Sequence, residues 1–357
     1  MLSTDENIFK EDSEARKRMV DYGGLVGELR IVIKSKNNKD TNFNNIFIYS
    51  TNSSNWFYFF RALKIGKKII EKDGQWLITT QDPFETGLVG YMLKRKFKLP
   101  WQIQIHTDFL SPYFGGESIK NKVRVLLAKW LIQKSNNIRV VSERIKTSLC
   151  SKLQVPGSKI AVLPIWVDIE KIKNSHTETD LHKKYPGRFI ILMASRLTKE
   201  KNIGLAIEVL KEIAKKHPEV LLLIVGSGPE SEKIKSQVID YKLQDFVVFE
   251  SWNNDLVSYY KTADLFLLAS NYEGYGRTVI EAMAASLPVV MTDVGIGMGL
   301  VARVGDESDL AEKILGIISS SEKRKQVLEE QDKFFRNWPT KLEYLSKIKQ
   351  LWQECFL

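Results

Sequence analysis

Apolar residues in this chain fall in short dense runs separated by longer amphipathic stretches, a rhythm that predicts strands alternating with helices. In the front half the β-rich runs are Gly27–Ser35, Asn45–Ser50, Gln75–Thr80, Trp101–Thr107, Asn137–Ser142 and Lys159–Ile165. Helical periodicity predicts helices over Asn55–Glu71, Gly87–Phe97 and Ser118–Lys134. The last of these reads as apolar on one side and basic on the other, which fits either a core helix with a wet face or a helix lying on a membrane. A polar stretch, 171–187, holding His176, His182 and Pro186-Gly187, reads as a linker. The rhythm then restarts with Arg188–Ser195, Glu219–Gly226, Phe246–Ser251, Asp264–Ser270 and Leu287–Asp293 as strands. A helix over Asn202–Lys216 carries Ile203, Ile207, Leu210 and Ile213 along one stripe.

Two successive βα arrays predict an α/β protein of two Rossmann-like parallel-sheet domains facing a cleft, with ligands beyond the carboxyl ends of the strands. The expected divisions are residues 1–170, the linker 171–187, residues 188–337, and a helix over 338–357 that crosses back to the first domain.

Length and composition agree with this plan. The chain has 357 residues, room for two cores, and 43% of them are hydrophobic. No apolar run approaches the roughly 18 residues of a membrane span. The polar N-terminus is not a secretory signal. Cys150 and Cys355 make neither a disulfide framework nor a metal spacing. A reducing, cytoplasmic setting follows.

Charge adds an asymmetry. Residues 1–175 hold 29 Lys and Arg against 17 Asp and Glu, whereas the remainder holds 24 against 26, so the net +10 comes wholly from the front half. Such a face is either simply solvated or meets an anionic partner, with a membrane leaflet the leading candidate. Nucleic acid is disfavoured, because no zinc-finger spacing, RNP-like run or helix-turn-helix signal accompanies the charge.

Three constellations carry candidate chemistry. In Ala269–Thr278 a hydrophobic strand ends, a turn with Gly274 and Gly276 follows, and a helix starts near Thr278. Free amides and the dipole at such a helix start attract phosphate. Glu273 sits in the turn and Glu281 in the helix, where a carboxylate can hold sugar or ribose hydroxyls, although Glu281 can equally serve only the helix start. In the second, Arg196 and Lys201 follow a buried strand at the same rim, two fixed cations suited to a diphosphate. The third is His106, alone among four histidines in ending an apolar strand. It is either structural or poised to reach a donor sugar.

These residues resemble the retaining glycosyltransferases of family 4, which have the GT-B fold. The pattern E-x7-E is Glu273 and Glu281, R-L-x-x-x-K is Arg196 to Lys201, and Ile224–Glu230 reads as the family's strand-to-GxGP turn. The resemblance implies transfer of a sugar from a nucleotide-diphosphate sugar to a glycan or lipid-linked acceptor, with retention. It implies that Arg196 and Lys201 neutralise the diphosphate and that Glu281 holds the ribose. Glu273, with Gly274, Tyr275, Gly276, Arg277 and Thr278, would touch sugar and phosphate. His106 would reach the sugar, and Gly226 and the Phe249–Trp252 stretch would line the donor site, with Trp252 near the base. No cofactor or metal is expected, since Asp-x-Asp is absent and two cations can replace Mg²⁺. Peripheral contact with the inner membrane face is the expected location. Three features depart from the family pattern: an opening strand reduced to Met1–Thr4, Pro164-Ile165-Trp166-Val167-Asp168 in place of Pro-Asn-Gly-Val-Asp, and a shortened loop after Asp293. They keep two alternatives open, a non-catalytic nucleotide-sugar-binding GT-B protein and a nucleotide-sugar epimerase.

Overall fold

A computed structural model describes residues 1–54, 57–71 and 74–357. The chain divides into two compact units, Met1–Pro164 with Pro339–Leu357, and Ile165–Trp338. The division falls ahead of the polar 171–187 stretch, which is not a bare linker. Its helices, Ile169–Asn174 and Leu181–Lys184, belong to the second unit. Asp168 caps the first by accepting from the Lys171 amide, and Asp180 caps the second by accepting from the amides of His182 and Lys183. The polar residues here terminate helices, while Leu181 is buried in the second core.

Among the described residues the first unit holds β1 (Leu2–Ser3), β2 (Leu29–Ile33), β3 (Thr41–Phe43), β4 (Ile46–Ser50), β5 (Ile78–Thr80), β6 (Trp101–Ile105), β7 (Asn137–Val140) and β8 (Ile160–Val162), in the spatial order β3-β4-β2-β1-β5-β6-β7-β8. All neighbours are parallel except β3, which closes an antiparallel hairpin on β4 at the edge. β1 is central but two residues long, pairing Leu2 with Val32 and Thr80. The amino ends of β2 and β5 therefore flank an open cavity of about 660 Å³, lined by Leu29, Arg30, Trp76, Ile78 and Trp352 among others.

Helices Tyr58–Ile70, Glu85–Phe97, Ile119–Lys134 and Glu143–Leu153 accompany this sheet. Asn55, where the first was expected to begin, lies outside the described residues. The C-terminal helix runs from Lys341 to Gln353 and not from Trp338. Thr340 and Glu343 form a reciprocal capping box that sets its start. Trp338 stays with the second unit, its indole N–H donating to the Val167 carbonyl at 3.0 Å. Tyr344, Ile348 and Trp352 are buried along the helix.

The second unit holds β9 (Phe189–Ala194), β10 (Val220–Val225), β11 (Val247–Glu250), β12 (Leu265–Leu268), β13 (Val289–Thr292) and β14 (Leu300–Ala302), all parallel, in the order β11-β10-β9-β12-β13-β14. Both faces are covered, so the strands read as unbroken apolar runs. Ile191 and Met193 of β9 pack with the helices Ile203–Ala214 and Glu307–Ser319, and Ile190, Leu192 and Ala194 pack with Leu256–Thr262 and Arg277–Ala284. β14 was not expected from the sequence, because Leu300–Ala302 is too short to show a period.

Candidate donor site in the second unit

The sheet order of the second unit places its chemistry. The chain winds outward one way through β9, β10 and β11, then returns to the other side of β9 with β12. The gap beyond the carboxyl ends of β9 and β12 is thus a topological switch point, where two successive connections part and leave a crevice. Arg196 and Lys201 follow β9, and Glu273 to Thr278 follow β12. Both constellations therefore open at this one place.

Side chains and backbone tie them together. Lys201 Nζ donates to Glu273 Oε1, and Ser270 Oγ donates to the same oxygen at 2.9 Å. The Asn271 amide donates to the Glu200 carbonyl at 2.8 Å, and Asn202 Nδ2 to Asn271 Oδ1 at 3.1 Å. Lys201 and Glu273 are 16% and 13% exposed, so this pair is largely withdrawn from water. Arg196 differs, since its side chain is 77% exposed and its guanidinium bonds Glu200 at 3.1 Å. The two cations expected at this rim are thus each held by a carboxylate. An exposed pair such as Arg196–Glu200 is weak and its arginine is easily recruited to another anion.

The turn after β12 is shaped for close approach. Gly276, at φ +93°, is the N-cap of the helix Arg277–Ala284, which starts one residue before the expected Thr278. A left-handed φ there suits glycine. Val279, Ala282 and Met283 anchor the helix in the core, so its first amides point from a fixed position at the rim. Glu281 accepts from Arg277 Nε at 2.7 Å through Oε1 and from the Tyr260 hydroxyl at 3.2 Å through Oε2. It is a positioned carboxylate with both oxygens engaged by protein. Burial, and then the Glu281 charge, push the Tyr260 phenol up, so it remains a donor.

Two neighbouring turns complete the rim. Gly226, at φ +146°, follows β10, and a Cβ there would lie 1.9 Å from the Ser195 carbonyl oxygen. The Leu197 amide donates to the Ser227 carbonyl at 2.9 Å, which locks the β9 and β10 turns together. On the other flank the loop after Asp293 folds onto the β12 turn. The Ile296 amide donates to the Tyr275 carbonyl at 3.2 Å, and a Cβ on Gly295 would meet that oxygen at 2.5 Å. Beyond β11, Trp252 is 54% exposed.

Glu250, at the end of β11, lies within the Phe249–Trp252 stretch expected to line the donor site, but its carboxylate has no role of its own in that expectation. It accepts from Lys184 Nζ at 2.7 Å and from the hydroxyls of Tyr185 and Tyr259, each at 2.6 Å. Burial would raise its carboxyl, but these three bonds hold it below the usual carboxylate range. Lys184 and Tyr185 lie in the stretch read as a linker, so residue order gave no sign of this cluster.

His106 belongs to the first unit and follows β6 there. Its Nε2 lies 3.3 Å from Gln104 Oε1. Burial, then the charges of Arg139 and Arg18, push the imidazole down to about 3, so the ring is neutral near pH 7. Buried Arg139 in turn bonds Gln104 at 3.2 Å and the Tyr344 hydroxyl at 2.8 Å, linking β6, β7 and the C-terminal helix.

Comparison with known proteins places these features. Residues 36–171 match the family model described as Glycosyltransferase Family 4, and residues 175–334 match that of Glycosyl transferases group 1. An alpha-monoglucosyldiacylglycerol synthase of Streptococcus pneumoniae is 28% identical over 244 residues, 65% of this chain and 54% of that protein. A UDP-Gal:alpha-D-GlcNAc-diphosphoundecaprenol alpha-1,3-galactosyltransferase of Escherichia coli is 28% identical over 238 residues, 64% of this chain and 60% of its own length. The aligned stretch thus spans between half and two thirds of these relatives. The sucrose-phosphate synthase of Thermosynechococcus elongatus superposes with a TM-score of 0.84 at 18% identity, over 99% of this chain and 98% of that one. The two matched segments follow the two parallel-sheet units along the chain, and the protein belongs to the group 1 glycosyl transferases, with the GT-B fold.

Proposed function

We propose that this protein is a glycosyltransferase that moves a hexosyl group from a nucleotide-diphosphate sugar to a glycan or lipid-linked hydroxyl, the first unit meeting an anionic membrane surface. The observation that carries this reading is the convergence of Lys201, Glu273 and the start of the helix Arg277–Ala284 at the switch point of the second sheet. Donor and acceptor classes follow the names of the relatives, UDP-Gal and diphosphoundecaprenol in one and a diacylglycerol glycolipid in the other.

The chemistry follows from where charge develops. The bond from the sugar anomeric carbon to the diphosphate oxygen breaks, and a bond from that carbon to the acceptor oxygen forms. The acceptor proton passes to the departing phosphate, with retention of configuration. Negative charge grows on the diphosphate, where Lys201, Arg196 and the amides at Gly276–Thr278 would meet it, so no metal is required. Glu273 receives both of its hydrogen bonds on Oε1 among the described residues, which leaves Oε2 to accept from a sugar hydroxyl. Glu281, fixed by Arg277 and Tyr260, would hold the ribose. Trp252 would cover the base.

The test is transfer from a panel of UDP-, GDP- and ADP-sugars to diacylglycerol and polyprenyl-diphosphate acceptors. One donor should give product, and Arg196→Ala should lower turnover by on the order of 10²-fold. Absence of product with every donor, or equal turnover by Arg196→Ala, would remove the reading.

A further inference from the structure

The helix Ile119–Lys134 has two apolar faces. The inward one includes the buried Ala128, Leu131 and Ile132. The outward one is Ile119, Val123, Leu126 and Trp130, exposed by 80%, 59%, 67% and 46%. Their spacing, i, i+4, i+7 and i+11, gathers all four into a sector of about 60° on a helix of 3.6 residues per turn. A simple wet-faced core helix would put polar residues there. The expectation of one apolar and one basic side is thereby corrected: the lysines occupy the two edges between the faces. Lys120 and Lys134 flank the outer stripe on one edge and Lys122 and Lys129 on the other, all exposed.

We infer that this outer stripe is a membrane-docking surface, which enters the headgroup boundary of an anionic bilayer with Ile119, Val123, Leu126 and Trp130 while the flanking lysines meet lipid phosphates. Lysine stems can snorkel along such a stripe and keep their ammonium groups at the headgroups. The surroundings match. No acidic residue occurs between Glu117 and Glu143. Trp130 packs edge-on against Tyr91 at 4.8 Å, and indole and phenol both suit an interface with one apolar and one wet side. Met92 is exposed on the neighbouring helix, followed by exposed Arg95, Lys96 and Lys98. A second copy of this chain fits poorly, because stripe-to-stripe packing would bring four lysines against four. No helix among the described residues is long and apolar enough to cross a membrane, so the contact is one of lying on the surface. The inference takes its purpose from the lipid-linked acceptor proposed above, but its evidence is this helix.

The experiment is flotation of the full chain with vesicles of phosphatidylcholine alone or with a third of the lipid as phosphatidylglycerol. Neither donor nor acceptor is present, so failure here leaves the transfer reading standing, and the reverse. Binding should require phosphatidylglycerol and fall steeply with added salt. The double variant Val123→Glu with Leu126→Glu should lower it at least about tenfold, as loss of buried apolar contact dictates. Lys122→Glu with Lys129→Glu should also weaken it. Brominated lipid should quench tryptophan emission in the wild type and less in Trp130→Phe. The inference is overturned if the wild type does not float, if the Val123/Leu126 variant floats equally well, or if the stripe instead holds a dimer that this variant dissolves.

Discussion

Lys201 and Glu273 are each other's counter-ion at a place where both are mostly hidden from water. Deleting one partner of such a pair strands the other, at a cost of about 3 kcal/mol. Lys201→Ala should therefore lower both the thermal midpoint and turnover. Arg196→Ala separates the two effects. Its exposed bond to Glu200 contributes little, so stability should stay within about 0.5 kcal/mol of wild type while turnover falls. Calorimetry with steady-state assays checks both variants, and an Arg196→Ala protein that loses stability but keeps turnover would assign this arginine to the fold alone. His106 makes a pH-dependent contribution. The unfolded chain takes up its proton near the ordinary value of 6.5 and the folded chain only near 3, so acid favours unfolding throughout that interval. His106→Gln should lose less stability than wild type when pH is lowered from 7 to 4, as measured by urea unfolding at each pH.

The turns carry the site as much as its charges do. Gly226 and Gly295 each stand where a Cβ would drive into a backbone carbonyl, of Ser195 and of Tyr275, and backbone cannot step aside as a side-chain tip can. Gly295→Ala should displace the turn at Tyr275 and weaken nucleotide binding at least about tenfold, consistent with a loss of 1–3 kcal/mol from strain. A titration with unchanged affinity would show that the loop after Asp293 does not support the site. At the far end of the chain, Thr340→Ala removes half of a capping box and should cost about 1 kcal/mol, read as a lower urea midpoint with an unchanged slope.

These elements also show what residue order can and cannot reveal. The strands of the second unit, β14 apart, were legible because both of their faces are buried, which makes them dense apolar runs. Arg196, Lys201, Glu273 and Glu281 were legible because each follows or opens a strongly periodic element at a fixed offset. Glu250 was not, because its three partners come from a stretch whose polar composition resembles a linker and from a separate helix. The outer stripe of Ile119–Lys134 was misread for a related reason. Two opposed apolar faces cancel in any average around the helix, and only exposure tells them apart.

Across the whole chain, charge and chemistry are segregated. The positive excess lies in residues 1–175, with the helix proposed to dock on a membrane, while the proposed donor site lies in the near-neutral second unit. A ligand that binds only the folded second unit at about 100 times its Kd would add about 2.7 kcal/mol to its stability. Nucleotide should therefore raise the melting of the second unit directly, whereas vesicles should not substitute for it. Two separate thermal transitions, with only one moved by nucleotide, would be the calorimetric signature.

The proposed transfer requires a diphosphate held at the switch point by Lys201, Arg196 and the first amides of Arg277–Ala284. The measurement that meets it most directly is the affinity gained from the two phosphates, obtained by titrating the wild type and the Arg196→Ala/Lys201→Ala protein with UDP, GDP and ADP and with their parent nucleosides. For one base, the wild type should bind the diphosphate at least about a hundredfold more tightly than the nucleoside, as charge-assisted bonds of 1.5–3 kcal/mol each require, and the double variant should lose most of that gain while still binding nucleoside. A double variant that keeps the full gain would place the phosphates elsewhere and contradict the account.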